Sequence, residues 1–310
     1  MEYIQLPNTD LKVSRLALGC MRIAGKTVDE TEALVRAALE QGVNFFDHAD
    51  IYGGGECERL FGEMLGRNPG LRGQMVIQTK CGIVTQQAGG PRYDMSKEHI
   101  LGSVKRSLER LQCGYIDILL LHRPDALCDP AEVAEAFDEL HREGLVRYFG
   151  VSNHSVSRMN LLRKYLKQPL VANQLQLSIV HSCMLDADMW VNMKEDEAVD
   201  RDNGLIDYCR LNDITIQTWC SLQASWADGT FINNPKYQKL NDALERLAQE
   251  YHVTKSAVAL AWLLRHPANM QAVIGTTSAE HLREACDAVS VKLTRQQWYD
   301  LYMAEGKRIP

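Results

Sequence analysis

Three apolar runs in this sequence end on ionisable residues. Val43-Asn44-Phe45-Phe46-Asp47 closes on a carboxylate, Met75-Val76-Ile77-Gln78-Thr79-Lys80 on an ammonium, and Ile116-Asp117-Ile118-Leu119-Leu120-Leu121-His122 on an imidazole. Asp50 and Tyr52 follow just beyond the first run. A lysine in an apolar run is costly to bury unless it is paired, and Asp47 is the obvious carboxylate for Lys80. If the runs are parallel strands of one barrel, their C-terminal ends converge on one mouth. Asp47, Tyr52, Lys80 and His122 then form a titratable group suited to proton transfer. The plainer alternative is a structural ion pair closing the top of the fold, with His122 a satisfied core imidazole. A second alternative keeps the fold and makes Lys80 a Schiff-base nucleophile, as in class I aldolases. Asp47 opposes it by keeping the amine protonated. Asp50 reads as a loop or helix-start residue rather than a second base.

The elements that must position these residues recur with a regular rhythm. Besides the three runs, strand signals stand at Leu16–Gly19, Tyr148–Ser152, Leu170–Gln174, Ile214–Trp219 and Gln271–Gly275. Near-continuous apolar runs are how strands buried on both faces read. Amphipathic stretches lie between them. Ile100, Val104, Leu108 and Leu111 share one helical face behind a Ser96 cap, and Val133, Phe137 and Leu140 share another behind Pro130. Thr27 and Glu30, and again Thr277 and Glu280, have capping-box spacing. Eight strand–helix units without a linker or composition shift predict one closed (β/α)8 barrel over residues 1–310 rather than an open doubly wound sheet. Ile4-Gln5-Leu6 and Leu11-Lys12-Val13 predict a hairpin ahead of the first barrel strand, placed to plug the barrel floor. Residues 182–204 and 222–236 exceed what connections need, and are expected as long loops on the C-terminal rim. Trp190 and Trp226 are the aromatics in them to watch as pocket walls.

Composition removes whole classes of function. The 310 residues carry 34 Lys+Arg against 40 Asp+Glu, a net charge of −6, which argues against a general nucleic-acid or anionic-membrane surface. Nine cysteines are scattered without a C-x-x-C pair, so neither a disulfide framework nor a zinc ribbon is signalled. Met1-Glu2-Tyr3-Ile4-Gln5 lacks the basic-then-apolar pattern of a secretory leader, and no window approaches the roughly 18 apolar residues of a membrane span. A cytoplasmic location is therefore expected. Gly19 to Gly25-Lys26-Thr27 misses the P-loop spacing, and no G-x-G-x-x-G, G-x-S-x-G or H-x-x-x-H motif is present. No metal site is expected.

Phe46-Asp47-His48-Ala49-Asp50-Ile51-Tyr52-Gly53, with Thr79-Lys80 and Leu119-Leu120-Leu121-His122, resembles the aldo-keto reductase superfamily. The similarity continues through Val151-Ser152-Asn153, Ala172-Asn173-Gln174, Trp219-Cys220-Ser221-Leu222 and Gly275-Thr276-Thr277-Ser278, and so spans essentially the whole chain. The resemblance implies a catalytic tetrad of Asp47, Tyr52, Lys80 and His122, and reduction of an aldehyde or ketone by hydride from a nicotinamide cofactor. In that scheme Lys80 lowers the phenol pKa of Tyr52 from about 10 and makes it a usable acid near neutrality. Asp47 keeps Lys80 charged, and His122 orients the carbonyl oxygen.

The same resemblance implies a cofactor site. Ser152, Asn153 and Gln174 would hold the nicotinamide carboxamide, and Trp219 would stack on the ring. Gly19, Met21, Cys220, Ser221 and Leu222 would also bind the cofactor. Gly275, Thr276, Thr277, Ser278, His281, Arg283 and Glu284 would surround the far phosphate at a helix N-terminus. The chain departs from many members in having Gly275 and His281 where they carry basic residues, so NADP (as NADPH) is favoured over NAD without the usual arginine. A cofactor-binding regulatory barrel with weak turnover is a further reading. The expected partner is a small-molecule carbonyl substrate, with no nucleic acid and no membrane.

Overall fold

The computed structural model describes residues 1–225 and 227–309. Eight runs form the strands of a closed, all-parallel barrel: Leu16–Gly19, Phe45–Asp47, Val76–Cys81, Ile116–Leu121, Val146–Ser152, Leu170–Gln176, Thr215–Trp219 and Gln271–Ile274. They neighbour one another in chain order, and the eighth pairs with the first.

The period-two alternation of a strand explains how one run can serve two cores. Leu16, Leu18, Phe46, Ile77, Leu119 and Leu121 join the outer core beneath the helices. Ala17, Phe45, Val76, Ile118, Leu120 and Val273 form a separate inner cluster with Ile4, Leu6, Leu11 and Val13. Those last four come from the antiparallel hairpin of Tyr3–Gln5 and Lys12–Ser14, which closes the barrel floor as expected. Continuing the inward alternation upward gives Asp47, Gln78 and Lys80, His122, Ser152, Gln174 and Trp219. The rule that buries valine and leucine at the floor therefore lifts the polar residues to the mouth.

Helices begin where their caps dictate. Thr27 and Glu30 form a complete capping box for Val28–Glu40, and Ser96 accepts the His99 N–H at the head of Lys97–Leu111. Pro130 occupies the first turn of Pro130–Arg142, with Asp129 as its cap. The capping box expected at Thr277 and Glu280 does not form. Thr276 Oγ1 accepts the Ser278 N–H at 3.1 Å, which delays the helix by one residue. Ser278 Oγ then accepts from His281 N and caps Ala279–Cys286. The helices Glu56–Arg67 and Lys97–Leu111 approach closely at Gly62, where a Cβ would stand 1.8 Å from the Arg110 carbonyl oxygen. That approach lets Arg110 pair with the buried Glu58 at 2.7 Å, while Thr79 donates to the same carboxylate at 2.6 Å.

Both long rim segments carry structure of their own. The first contains the helix Cys183–Met189 and buries Trp190 beneath the Arg308 guanidinium. The second forms a small hairpin of Gln223–Ser225 and Gly229–Thr230; Trp226 lies outside the described residues. No helix among the described residues is long and apolar enough to cross a membrane.

Candidate active site

Lys80 is fully buried at the end of the third barrel strand. Its ammonium donates to Asp47 Oδ1 at 2.8 Å, Asp47 Oδ2 at 2.7 Å and the His48 carbonyl at 2.7 Å. It also reaches the Tyr52 hydroxyl at 3.2 Å. Burial pulls the Lys80 pKa down, but Asp47 and Tyr52 outweigh it and the net direction is upward. The lysine is therefore a fixed cation behind the tyrosine.

The direction at Tyr52 corrects the expectation from sequence. Burial raises its phenol above the ordinary value, and Lys80 only partly reverses this. The desolvation cost of a phenolate in a partly closed cavity exceeds the help of one ammonium that Asp47 already engages. Tyr52 thus keeps its proton at neutral pH. His122 stands edge-on to the Tyr52 ring, with centroids 6.0 Å apart at 81°. Burial first, then Lys80 and Arg123, holds His122 well below the ordinary histidine value, so its ring is neutral. Its Nδ1 is buried without a hydrogen-bond partner among the described residues.

Beneath this group runs a belt of glutamines, of which the sequence reading picked out Gln174 alone, and that for the cofactor. Gln78 Nε2 donates to Asp47 Oδ1 at 2.6 Å and to Gln217 Oε1 at 2.9 Å. Gln174 Nε2 reaches Asp47 Oδ1 at 3.1 Å, and Gln217 Nε2 donates to Gln271 Oε1 at 2.9 Å. Gln271 in turn donates to the Ser14 carbonyl at 2.7 Å. Asp47 is therefore held from below as well as by Lys80, and the mouth is tied to the floor.

Above the group opens a cavity of about 1020 Å³. Asp47, Tyr52 and His122 line one end, and Lys80 lies behind them without lining it. Of the other residues singled out by sequence, Gly19, Met21, Ser152, Asn153, Gln174, Trp219, Cys220, Ser221, Leu222, Gly275, Thr276, His281 and Glu284 line the cavity. Thr277, Ser278 and Arg283 do not. Ser278 is turned back as a helix cap, and His281 and Glu284 share a helical face that Arg283, two positions on from His281, lies off. Trp190 is buried under its own loop and is no pocket wall.

Two strained turns shape the cavity. Asn153 sits at φ 59°, where its Oδ1 accepts the Trp219 indole N–H at 3.0 Å and its Nδ2 donates to Ser152 Oγ at 2.8 Å. Cys220 sits at φ 52°, turning the chain so that Ser221 Oγ reaches the Val273 carbonyl at 3.2 Å. Such positive φ in residues other than glycine is uncommon and clusters at functional sites. Sequence reading missed three cavity cations, Arg22, Arg123 and Lys255. Arg123 was within reach of the strand-end rule, since it directly follows His122. Lys255 begins a helix remote in sequence from every motif, and no local signal marks it. Among the described residues, no group of three or more His, Cys, Asp or Glu could hold a metal ion.

Comparison with known proteins places this geometry in context. The family model described as "Aldo/keto reductase family" matches residues 15–303. The oxidoreductase YcsN of Bacillus subtilis is 38% identical over 322 residues, spanning 100% of both chains. The 6-dehydroglucose reductase of Agrobacterium fabrum is 36% identical over 308 residues, covering 96% of this chain and 97% of its own. The crystal structure of the thermostable aldo-keto reductase Tm1743 with the inhibitor epalrestat superposes with a TM-score of 0.76 at 26% identity, covering 98% of this chain and 100% of its own.

Proposed function

The chain belongs to the aldo/keto reductase family, and from that premise we propose that it reduces an aldehyde or ketone to the alcohol with NADP as cofactor and Tyr52 as proton donor. The observation that carries this reading is the Tyr52 hydroxyl, set at the cavity end of a buried Lys80 ammonium that Asp47 locks in place.

The residues present fit a nicotinamide dinucleotide. The cavity extends from Tyr52 to Glu284, and the space around Gly275 is open, with nothing within 4 Å of where a Cβ would stand. Asn153, Ser152 and Gln174 bring amide and hydroxyl groups to the tetrad end, next to the Trp219 ring. Toward the phosphates, Arg22 and Lys255 supply positive charge in place of the basic residues absent at Gly275 and His281. Lys255 is shared with Glu245 outside the cavity wall, so the charge of Arg22, unpaired among the described residues, is the main support for NADP over NAD.

A bound nicotinamide supplies the hydride. Tyr52, still protonated at neutral pH, gives its proton to the carbonyl oxygen as charge develops there. Lys80 stabilises the phenolate left behind, and Asp47 with the His48 carbonyl prevents the ammonium from following the proton. Neutral His122 offers its free ring edge to orient the carbonyl. A Schiff base at Lys80 is disfavoured, because the amine is enclosed by its acceptors and does not line the cavity.

Tyr52→Phe tests the reading. Cofactor binding should persist, while carbonyl reduction falls by about 10²–10⁴, the usual worth of a positioned general acid. Undiminished reduction by that variant would remove Tyr52 from the role. Tight cofactor binding by wild type with negligible reduction of every carbonyl tried would favour a regulatory barrel.

A further inference from the structure

Arg123 follows His122 at the mouth of the fourth strand and lines the cavity beside it. Its guanidinium stands 5.6 Å over the Trp219 ring, and it makes no ion pair or hydrogen bond to the described residues. Of the other partly buried arginines, all but Arg158 are ion-paired among the described residues. Arg72 pairs with Asp117 at 2.8 Å, Arg110 with Glu58 at 2.7 Å, and Arg147 with Asp10 at 2.7 Å. A guanidinium facing a cavity costs free energy that a carboxylate normally offsets. This cation–π contact with Trp219 uses none of its five N–H donors. An unpaired guanidinium fork is what a carboxylate, phosphate or sulfonate binds in two-point fashion. Arg123 also stands next in chain to the imidazole that faces the reacting end, so an anion held there lies close to the carbonyl.

We propose that the substrate is an anionic carbonyl compound, its acid group a few carbons from the aldehyde or ketone and bound by Arg123. This rests on the carbonyl-reductase reading above and names the substrate class for it. The apolar walls Ile51 and Ile83 at the same end bound a short carbon body between the two polar groups. Arg22 is the other arginine on the cavity; it follows Met21 beyond the first strand, where its charge acts on the Cys220 thiol. We assign it to the cofactor side.

The test uses two aldehydes of nearly equal shape, 4-carboxybenzaldehyde and 4-formylbenzamide, with NADPH and the full-length enzyme. Glyceraldehyde 3-phosphate against glyceraldehyde, and a sulfonated benzaldehyde against its sulfonamide, form parallel arms that distinguish the acid groups. In at least one arm, wild type should favour the anion by tenfold or more in kcat/KM. Arg123→Met should collapse that ratio through KM for the anion, and Arg123→Lys should restore part of it. NADPH affinity, read by tryptophan quenching, should hold in Arg123→Met and weaken in Arg22→Met. The proposal is overturned if neutral aldehydes are preferred in every arm, or if Arg123→Met keeps the preference. It is equally overturned if Arg22→Met is the variant that loses the preference, or if Arg123→Met weakens NADPH as much as Arg22→Met does. Failure to reduce either member of any pair with NADPH bound would instead defeat the reductase reading, and this proposal with it.

Discussion

Replacing Asp47 by Asn should destabilise the protein strongly, and by an amount that depends on pH. Lys80 is fully buried, and Asp47 is the only carboxylate on its ammonium among the described residues. Breaking a buried ion pair by removing one partner costs about 3–5 kcal/mol. Asparagine retains one acceptor for Lys80, which places the expected loss near the lower end, about 3 kcal/mol. At roughly 1.5 °C per kcal/mol for a chain of this length, the midpoint of thermal unfolding should fall by about 5 °C. In the wild type, the Lys80 pKa is raised above its ordinary 10.5, so the pair's contribution is fully present below that value and is lost only as pH rises through the raised one. In Asp47→Asn, burial acts with little opposition and the folded pKa falls below 10.5. The unfolded chain then binds the extra proton, and the penalty is greatest at low pH. The stability gap between the two proteins should therefore narrow from pH 7 toward about pH 10. Urea unfolding of both across this range measures it. A gap below about 1 kcal/mol at pH 7, or one that does not change with pH, would refute the argument that Asp47 keeps Lys80 charged.

The raised phenol of Tyr52 and the depressed His122 together dictate the pH profile. Reduction should be flat from about pH 6 to 9 and fall only above the ordinary tyrosine value of 10, as Tyr52 loses its proton. Alcohol oxidation should climb along the same limb; a reductive limb near pH 7 would point to another acid. Asp50 Oδ1 has no hydrogen-bond partner among the described residues, and its carboxyl is pushed up to about 7 from 3.8, first by burial and then by Glu58, against Arg110, Arg106 and Ser103. The folded state then binds more protons than the unfolded one between those values, so stability falls as pH rises from about 4 to 7, by a few kcal/mol. Asp50→Asn should flatten that decline in chemical denaturation at pH 5 and 8, and identical slopes in the two proteins would sink the idea.

How much was legible in the sequence follows from which forces act locally. The eight strands were visible because burial on both faces leaves near-continuous apolar runs, and each lies within about two residues of its expected bounds. The tetrad was visible because three of its members end or directly follow such runs, where an ionisable residue has no local justification. The glutamine belt was not. Gln78, Gln217 and Gln271 are unremarkable within their strands, and only the register that sets Gln174 beside Gln217 and Asp47 beside Gln78 makes them partners. The direction of the Tyr52 shift was misjudged because a sequence shows the ammonium but not the burial that opposes it. Thr277 and Glu280 had the right spacing for a cap, and one hydrogen bond from Ser278 N to Thr276 moved the helix start past them. Lys255 reaches the cavity from a helix whose own pattern is wholly apolar beyond its first turn, held by Glu245 at 3.5 Å and by Asn233.

Trp219 lines the tetrad end of the cavity and gives the most direct measurement its signal. Titration with NADPH and NADH in parallel, followed by quenching of tryptophan fluorescence, reads cofactor binding without any choice of substrate. The account predicts saturable quenching by both, with NADPH bound much more tightly. Equal affinities would leave the reductase standing and withdraw NADP. No binding of either would contradict the assignment of this cavity to a nicotinamide cofactor.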